Sequence, residues 1–409
     1  MNCKSVWRLI TVVVLTTALI TGCGGASGGG LTAKASEYDF LKKMAEEEKG
    51  DEENEKSEPG VKTELPALTG IDCTVNLTGK QYTLPFDLTE LLADGWTGNY
   101  NLDTDLDGMT QTFLYLTKDG LGDTDVSFYI FNNTGNTKKI RECQVAGLEV
   151  DENNAGKAAF SLSNGLTVGD DMDTVKERMG LPTDTYDGDH YIELAYGENQ
   201  EKGMITFLWP KDESYIASIE VEHYVVEETA SSEEVPAYLS EYSAPSSMGE
   251  DFDSGIFSLD GVLYQLSCPL SELIENGWHL TKDEAVPAGN TAIVYLRKKD
   301  AEISAYVRNY ADNQVPSSNC ALYKIGGVYL DLSSAPDLLL PKGFSLGVDQ
   351  DELESILDSS SVDVEKDDTH ETLTSYIYND YSKRTELYVS YDKEDKRIYS
   401  IRYERDVWP

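Results

Sequence analysis

LTGKQYTLPFDLTELLADGW, Leu77 to Trp96, returns 182 positions later as LDGVLYQLSCPLSELIENGW, Leu259 to Trp278, with nine identities in twenty positions and no gap. Three further matches keep the same order. Asn132 and Cys143 correspond to Asn309 and Cys320 at an offset of 177. GLTVGDDMDTVKERMGLP, Gly165 to Pro182, corresponds to GFSLGVDQDELESILDSS from Gly343 at an offset of 178. IASIEVE from Ile216 meets IYSIRYE from Ile398 at 182 again. Four ordered matches define a tandem duplication, with a unit far longer than the roughly 20 to 50 residues of a solenoid repeat.

Inside each copy the local periods are legible. LTELLAD and LSELIEN start at the capping types Thr89 and Ser271 and end at Gly95 and Gly277, so they predict short helices. TFLYL, VSFYIF, IVYLR and ISAYV alternate as half-buried antiparallel strands do. Three more strands follow in each copy: YIELAY, MITFLW and YIASIEVE, then TSYIY, TELYVSY and IYSIRYE. The expected fold class is α+β, a tandem pair of modules with short helices packed on antiparallel β-sheet, each divisible into halves. The modules run over 69–225 and 255–409, and the Ser-, Glu- and Pro-bearing segment 226–254 reads as their linker.

In GLTVGDDMDTVKERMGLP, Asp170 and Asp171 are placed to cap a helix whose Met172, Val175 and Met179 make one apolar stripe. Gly180 and Pro182 end it. The acids read as caps and the methionines as core, so the repeated segment is scaffold. The spacing Gly169, Val175, Gly180, Pro182 resembles the motif that opens the helix in β-lactamase inhibitor proteins and in the small outer-membrane lipoproteins of the barrel-assembly machinery. That resemblance implies a helical segment on one face of a small antiparallel sheet, with the other face contacting a protein partner. The second copy keeps Gly347 and Leu353 but has Asp358 and Ser360 where Gly and Pro are expected. Leu77 to Cys143 is also similar to domains of uncharacterised lipoproteins of gut Firmicutes, which implies no activity.

The chain begins MNCKSVWRLITVVVLTTALITGC, with Lys4 and Arg8 ahead of an apolar run from Leu9 to Ile20. This is the pattern of an export signal over 1–22, and the run is shorter than the roughly 20 residues that span a bilayer. Ile20-Thr21-Gly22-Cys23 resembles the lipobox of bacterial lipoproteins, which implies cleavage before Cys23 and a diacylglyceryl group on its sulfur. Acyl chains there imply stable attachment to the outer leaflet of the cell membrane, on the extracytoplasmic side. Residues 23–68 join GGASGGG to a dense acidic run and read as a disordered, self-repelling stalk. The formal net charge of -41 disfavours nucleic acid and anionic lipid as ligands.

Several constellations bear on chemistry. Asp103, Asp105, Asp107 and Gly108 have the spacing of the first half of a calcium loop, but Thr110 and Leu114 stand where the loop needs an aliphatic residue and a carboxylate. They remain weak metal candidates beside a plain Asp-Gly turn. Asp187 with His190, and Asp367 with His370, lack the further ligands a metal requires and read as turn polarity. Cys73, Cys143, Cys268 and Cys320 are an even set of four in an exported chain, open to pairing within each copy or to buried free thiols. No G-x-S-x-G, H-E-x-x-H, S-x-x-K or phosphate-binding glycine loop is present, and nothing calls for a cofactor. The aromatic strands supply a different signal. Tyr and Trp on an exposed sheet face suit recognition of a protein or glycan, with Trp209, Tyr388, Tyr399 and Tyr403 as candidates. The function expected is therefore a non-enzymatic, membrane-anchored binding or adaptor lipoprotein. The alternative is an extracytoplasmic enzyme using carboxylates on a cell-wall or glycan substrate.

Overall fold

A computed structural model describes residues 71–407, apart from 123, 300 and 329–336. The expected signal peptide, Cys23 and the stalk lie outside the described residues.

Alternation writes each copy into one large antiparallel sheet. In Thr291–Lys298, Val294 and Leu296 point inward while Ile293 and Tyr295 point out. In Leu373–Asp380, Thr374, Tyr376 and Tyr378 are the inward set. The first sheet runs, edge to edge, Gln111–Leu116, Val126–Phe131, Gln144–Asp151, Ser218–Glu222, Met204–Pro210, Tyr191–Gly197, Asp184–Asp187. The second runs Thr291–Lys298, Ala301–Arg308, Ala321–Val328, Arg397–Arg405, Thr385–Asp392, Leu373–Asp380, Val364–Asp367, with His279–Leu280 added outside Thr291–Lys298. The strand order is the same in both. Each half-sheet is a meander, and the halves join where Gln144–Asp151 pairs Ser218–Glu222 and where Ala321–Val328 pairs Arg397–Arg405.

The architecture is mostly β, with 40% of it in strands, which corrects the α+β expectation. The helices exist, but they do not form a layer. The described residues hold four: α1 Leu88–Ala93, α2 Met172–Met179, α3 Leu270–Glu275 and α4 Gln350–Asp358. Six to nine residues make about 9 to 14 Å of helix, whereas seven paired strands span about 30 Å. The core of each copy also takes in a second, three-stranded sheet. It comprises Lys80–Thr83, Thr74–Leu77 and Ser161–Leu162 in the first copy, and Val262–Gln265, Ile256–Leu259 and Leu338–Leu339 in the second. Sheet-on-sheet packing with short helices of about two turns as plugs is the result.

Two separate hydrophobic clusters follow. The first gathers Val75, Leu77, Leu88, Leu91, Trp96, Phe128, Leu148, Val175, Phe207, Ile219 and Val221. The second gathers the counterparts, including Phe257, Leu259, Leu270, Leu273, Trp278, Ala305, Ile325, Leu353, Val389, Ile401 and Tyr403. The Gly-Trp ends of the opening repeat are thus explained: Gly95 and Gly277 take positive φ of 84° and 88°, which turns Trp96 and Trp278 fully into the core. The N-caps of α1 and α3 are Asp87 and Pro269, each two residues ahead of the expected Thr89 and Ser271. In α2 the expected cap holds, since the Asp171 carboxylate accepts the Thr174 N–H at 2.8 Å. Asp349 does the same for Glu352 in α4, at 2.9 Å. Gly180 closes α2 at φ 79°, whereas α4 ends at Ser359 in a right-handed conformation.

The repeated asparagine is also scaffold. Asn132 is fully buried and its Nδ2 donates to the carbonyls of Leu106, Asp107 and Asn136 at 2.7 to 3.0 Å. Asn309, equally buried, donates to Val286 and Asn313. The loops they hold meet each other. Gly108 N–H donates to the Ala288 carbonyl at 3.1 Å, Ala288 N–H to Gly135 at 2.8 Å, and Thr137 N–H to Asp312 at 2.8 Å. Equivalent loops of the two copies therefore face one another, and the Gln314 side chain, donating to the Thr229 carbonyl, ties the start of the linker to the same junction.

Candidate functional site

The residues singled out from sequence are dispersed. Trp209 is 4% exposed and belongs to the first core, which removes it from any binding face. Tyr403 is fully buried with its hydroxyl donating to the Phe252 carbonyl, so it too is core. The strand Arg397–Arg405 explains the error, because its register skips Tyr399 opposite Ser390 and Tyr391, so that Ile398 on one side of the irregularity and Ile401 and Tyr403 on the other all lie inward. Tyr388 and Tyr399 are partly exposed, and Tyr388 carries the Arg402 guanidinium 4.3 Å from its ring centre. Asp103 pairs with Arg141 and Asp105 with Lys139, while Asp107 abuts Gly289. Among the described residues no group of three or more His, Cys, Asp or Glu is arranged to hold a metal ion. Asp187 is bound to Lys211, and Asp367 accepts the N–H and hydroxyl of Thr369, as turn residues do.

The four cysteines are free and buried, so the disulfide pairings open in the sequence are not formed. Burial pushes the Cys143 thiol up to about 11 and those of Cys73 and Cys320 up to about 12. Such thiols stay protonated and are poor nucleophiles.

The unusual chemistry sits on the outer face of the first sheet. Antiparallel register places Glu220 directly opposite Glu149, with Ser127 and then Tyr115 continuing the row towards the edge strand. The adjacent row holds Glu222, Gly147, Tyr129 and Phe113. Like charges opposite one another destabilise a sheet. Here the site keeps them by withholding ionisation. Burial first, then the charge of Glu222, pushes the Glu220 carboxyl up to about 8, against which the Tyr129 hydroxyl donates at 2.5 Å. Burial also raises Glu149, with Asp151 adding to it, and raises Glu222. Glu222 is received by Gln200 Nε2 at 2.9 Å and the Tyr224 hydroxyl at 3.1 Å. Among the described residues no Lys or Arg pairs with Glu149, Glu220 or Glu222.

Beside the carboxyls lie exposed aromatics. Phe113 is 40% and Tyr115 53% exposed, and Phe113 meets the Tyr129 ring edge-on at 4.9 Å. Sequence reasoning missed the cluster because it needs the register between strands, yet one signal was in hand. In the matched strands IASIEVE and IYSIRYE, Glu220 stands where the second copy has Arg402.

The second copy occupies the same lattice positions with opposite charge. Arg402 lies opposite Gly326, where the first copy has Glu220 opposite Glu149. Lys324 lies opposite Tyr306 and Glu404, where the first copy has Gly147 opposite Tyr129 and Glu222. The Lys324 ammonium pairs with Glu404 at 2.7 Å and sits 4.9 Å from the Tyr306 ring centre. No family model, curated protein or solved structure matches this chain.

Proposed function

We propose that this chain is a non-enzymatic binding or adaptor protein, held at the extracytoplasmic side of the membrane by a lipid on Cys23, that presents its sheet faces to a protein or other extracellular ligand. One observation carries the reading. Both copies set large apolar side chains at matched, exposed places on the outer face of the strands Gln111–Leu116 and Thr291–Lys298: Phe113 and Ile293 at 40% and 42% exposure, Tyr115 and Tyr295 at 53% and 50%. Repeated exposure of such groups on paired strands marks an interaction surface rather than scattered surface apolarity. Lipid anchoring rests on the resemblance of Ile20 to Cys23 to a lipobox.

The enzymatic alternative draws on Glu220, a carboxyl held near neutrality as acid-base catalysts require. It is weakened by the second copy, which has Arg402 and Gly326 at the two carboxyl positions. A photo-crosslinking residue at Tyr115 or Tyr295, with Tyr381 on an exposed turn as control, tests the proposal in envelopes of cells making the full chain. A discrete adduct from the face and none from 381 is expected. Absence of adducts together with release of wall fragments by the purified chain overturns it.

A further inference from the structure

The two sheet faces share strand order and register, which lets the second copy report what the first lacks. At the second face a cation is built in. Lys324 is held by the Glu404 carboxylate and the Tyr306 ring, and Arg402 by the Tyr388 ring. At the first face the acceptors persist as Glu222 and Tyr129, and Glu149 and Glu220 are added, while both cations are gone, to Gly147 and Glu220. The same kind of acceptor set binds an ammonium in one copy and is left without one in the other. A metal ion is not the complement, since the described carboxyls are not grouped to ligate one. An organic cation is, because carboxylate and aromatic ring together favour ammonium and guanidinium groups.

We infer that the outer face of the first sheet, around Glu149 and Glu220 and flanked by Phe113 and Tyr115, docks a lysine or arginine side chain on an extended basic segment of a protein partner. This rests on the binding reading above and names its partner class. A protein segment fits better than a free polyamine because Phe113 and Tyr115 extend the surface past the carboxyls towards the edge strand Gln111–Leu116, giving area for neighbouring apolar side chains. The chain's net charge of -41 would draw such a partner in but give no site preference. Local selectivity comes from the cluster.

Binding also couples to protons. The groups facing Glu220 are Glu149, Glu193, Glu222 and Tyr129, and a docked cation stabilises the ionised carboxylates, so affinity rises as pH increases from 6 towards 9.

The test titrates the full chain in detergent, at fixed ionic strength, with a fluorescent peptide alternating lysine and tyrosine, its lysine-acetylated form, and spermine. Two variants bring in the second copy's cations, Glu220→Arg and Gly147→Lys. Glu220→Gln removes charge with the least disturbance, Glu365→Arg makes the same charge change at an exposed site on the second sheet, and Tyr115→Ser probes the aromatic rim. Expected are about tenfold weaker peptide binding for Glu220→Arg and for the acetylated peptide, less than twofold change for Glu365→Arg, and weaker binding of spermine than of peptide. Equal losses for Glu220→Arg and Glu365→Arg would reduce the effect to overall charge and overturn the inference. So would spermine binding as tightly as peptide, or self-association of the chain in place of peptide binding. Weaker peptide binding by Tyr115→Ser with no effect of the Glu220 variants would keep the face as a binding surface and refute only the cation. Circular dichroism confirms that each variant is folded, and Glu220→Gln, which keeps the Tyr129 hydrogen bond, decides the matter should either cationic variant misfold.

Discussion

Replacing Glu220 with glutamine should make the protein more stable in alkaline solution and leave it nearly unchanged in acid. The folded-state carboxyl stands at about 8 against an ordinary value of 4.5. A raised folded value means the folded state holds the proton more tightly than the unfolded chain does. The benefit is complete below about 4.5 and is lost as pH climbs through 8, so wild-type stability should decline across that window. The gap between these two values corresponds to about 5 kcal/mol, at about 1.4 kcal/mol for each tenfold change in proton affinity. Glu220 lies on the outer face and remains partly exposed, so solvent relaxes a good part of this, and about 2 kcal/mol is expected. Glutamine keeps an oxygen for the Tyr129 hydroxyl and cannot ionise. Urea unfolding at pH 4.5, 6.5 and 9, followed by the fluorescence of Trp96 and Trp209 in the first core, measures the difference. The variant and wild type should coincide within ~0.5 kcal/mol at pH 4.5 and separate by about 2 kcal/mol at pH 9. A constant difference at all three values, or a wild type that gains stability with pH, would refute the reasoning. Either result would mean that the face holds Glu220 ionised.

Three other outcomes follow from the scaffold. Asn132→Ala removes a fully buried donor of three hydrogen bonds to loop carbonyls and should cost about 2 to 4 kcal/mol in urea unfolding, with Asn309→Ala close behind. Trp96→Ala empties a fully buried site packed edge-on against Phe128 at 5.2 Å and should cost about 3 to 5 kcal/mol, while the second core keeps its own transition. Cys73, Cys143, Cys268 and Cys320 should resist a thiol reagent in the native state and all react after denaturation, and a reducing agent should leave the melting temperature where it was.

The parts of this fold that were legible are those encoded by short-range pattern. Strand alternation, Gly95 and Gly277 before the two buried tryptophans, and the cap Asp171 each depend on a few adjacent residues. The small second sheet in each core was not legible. Lys80–Thr83 and Val262–Gln265 are four residues long, and their role depends on strands that arrive about eighty residues later, Ser161–Leu162 and Leu338–Leu339. Beside them the helical runs stood out in the sequence and took the weight that belonged to the small sheets. The same limit governed the aromatic candidates. Which side of a strand faces the core is set by register and shifts at a bulge, so Ile398 and Tyr403, five residues apart across the irregularity at Tyr399, both fall inside.

Duplication also explains how a charge cluster of this kind is tolerated. A module whose core, helix plugs and loop-holding asparagine are fixed has little freedom inside, but an outer position such as Glu220 or Arg402 touches only its sheet neighbours. Moving from one sign to the other there alters no core contact, provided that the cross-strand partner changes with it. The partners differ together: Glu149 with Glu220 stand where the second copy has Gly326 with Arg402, and Gly147 with Glu222 where it has Lys324 with Glu404. The second arrangement satisfies itself within the chain. The first keeps carboxyls that raise the folded state's free energy once ionised, and a cation supplied from outside is what would recover that loss. On this argument the stability gained by Glu220→Gln at high pH and the affinity it loses for a basic segment have one origin, so the two effects should scale together across substitutions at 149 and 220. A set of variants in which stability rises with no loss of peptide binding would separate them and break the argument.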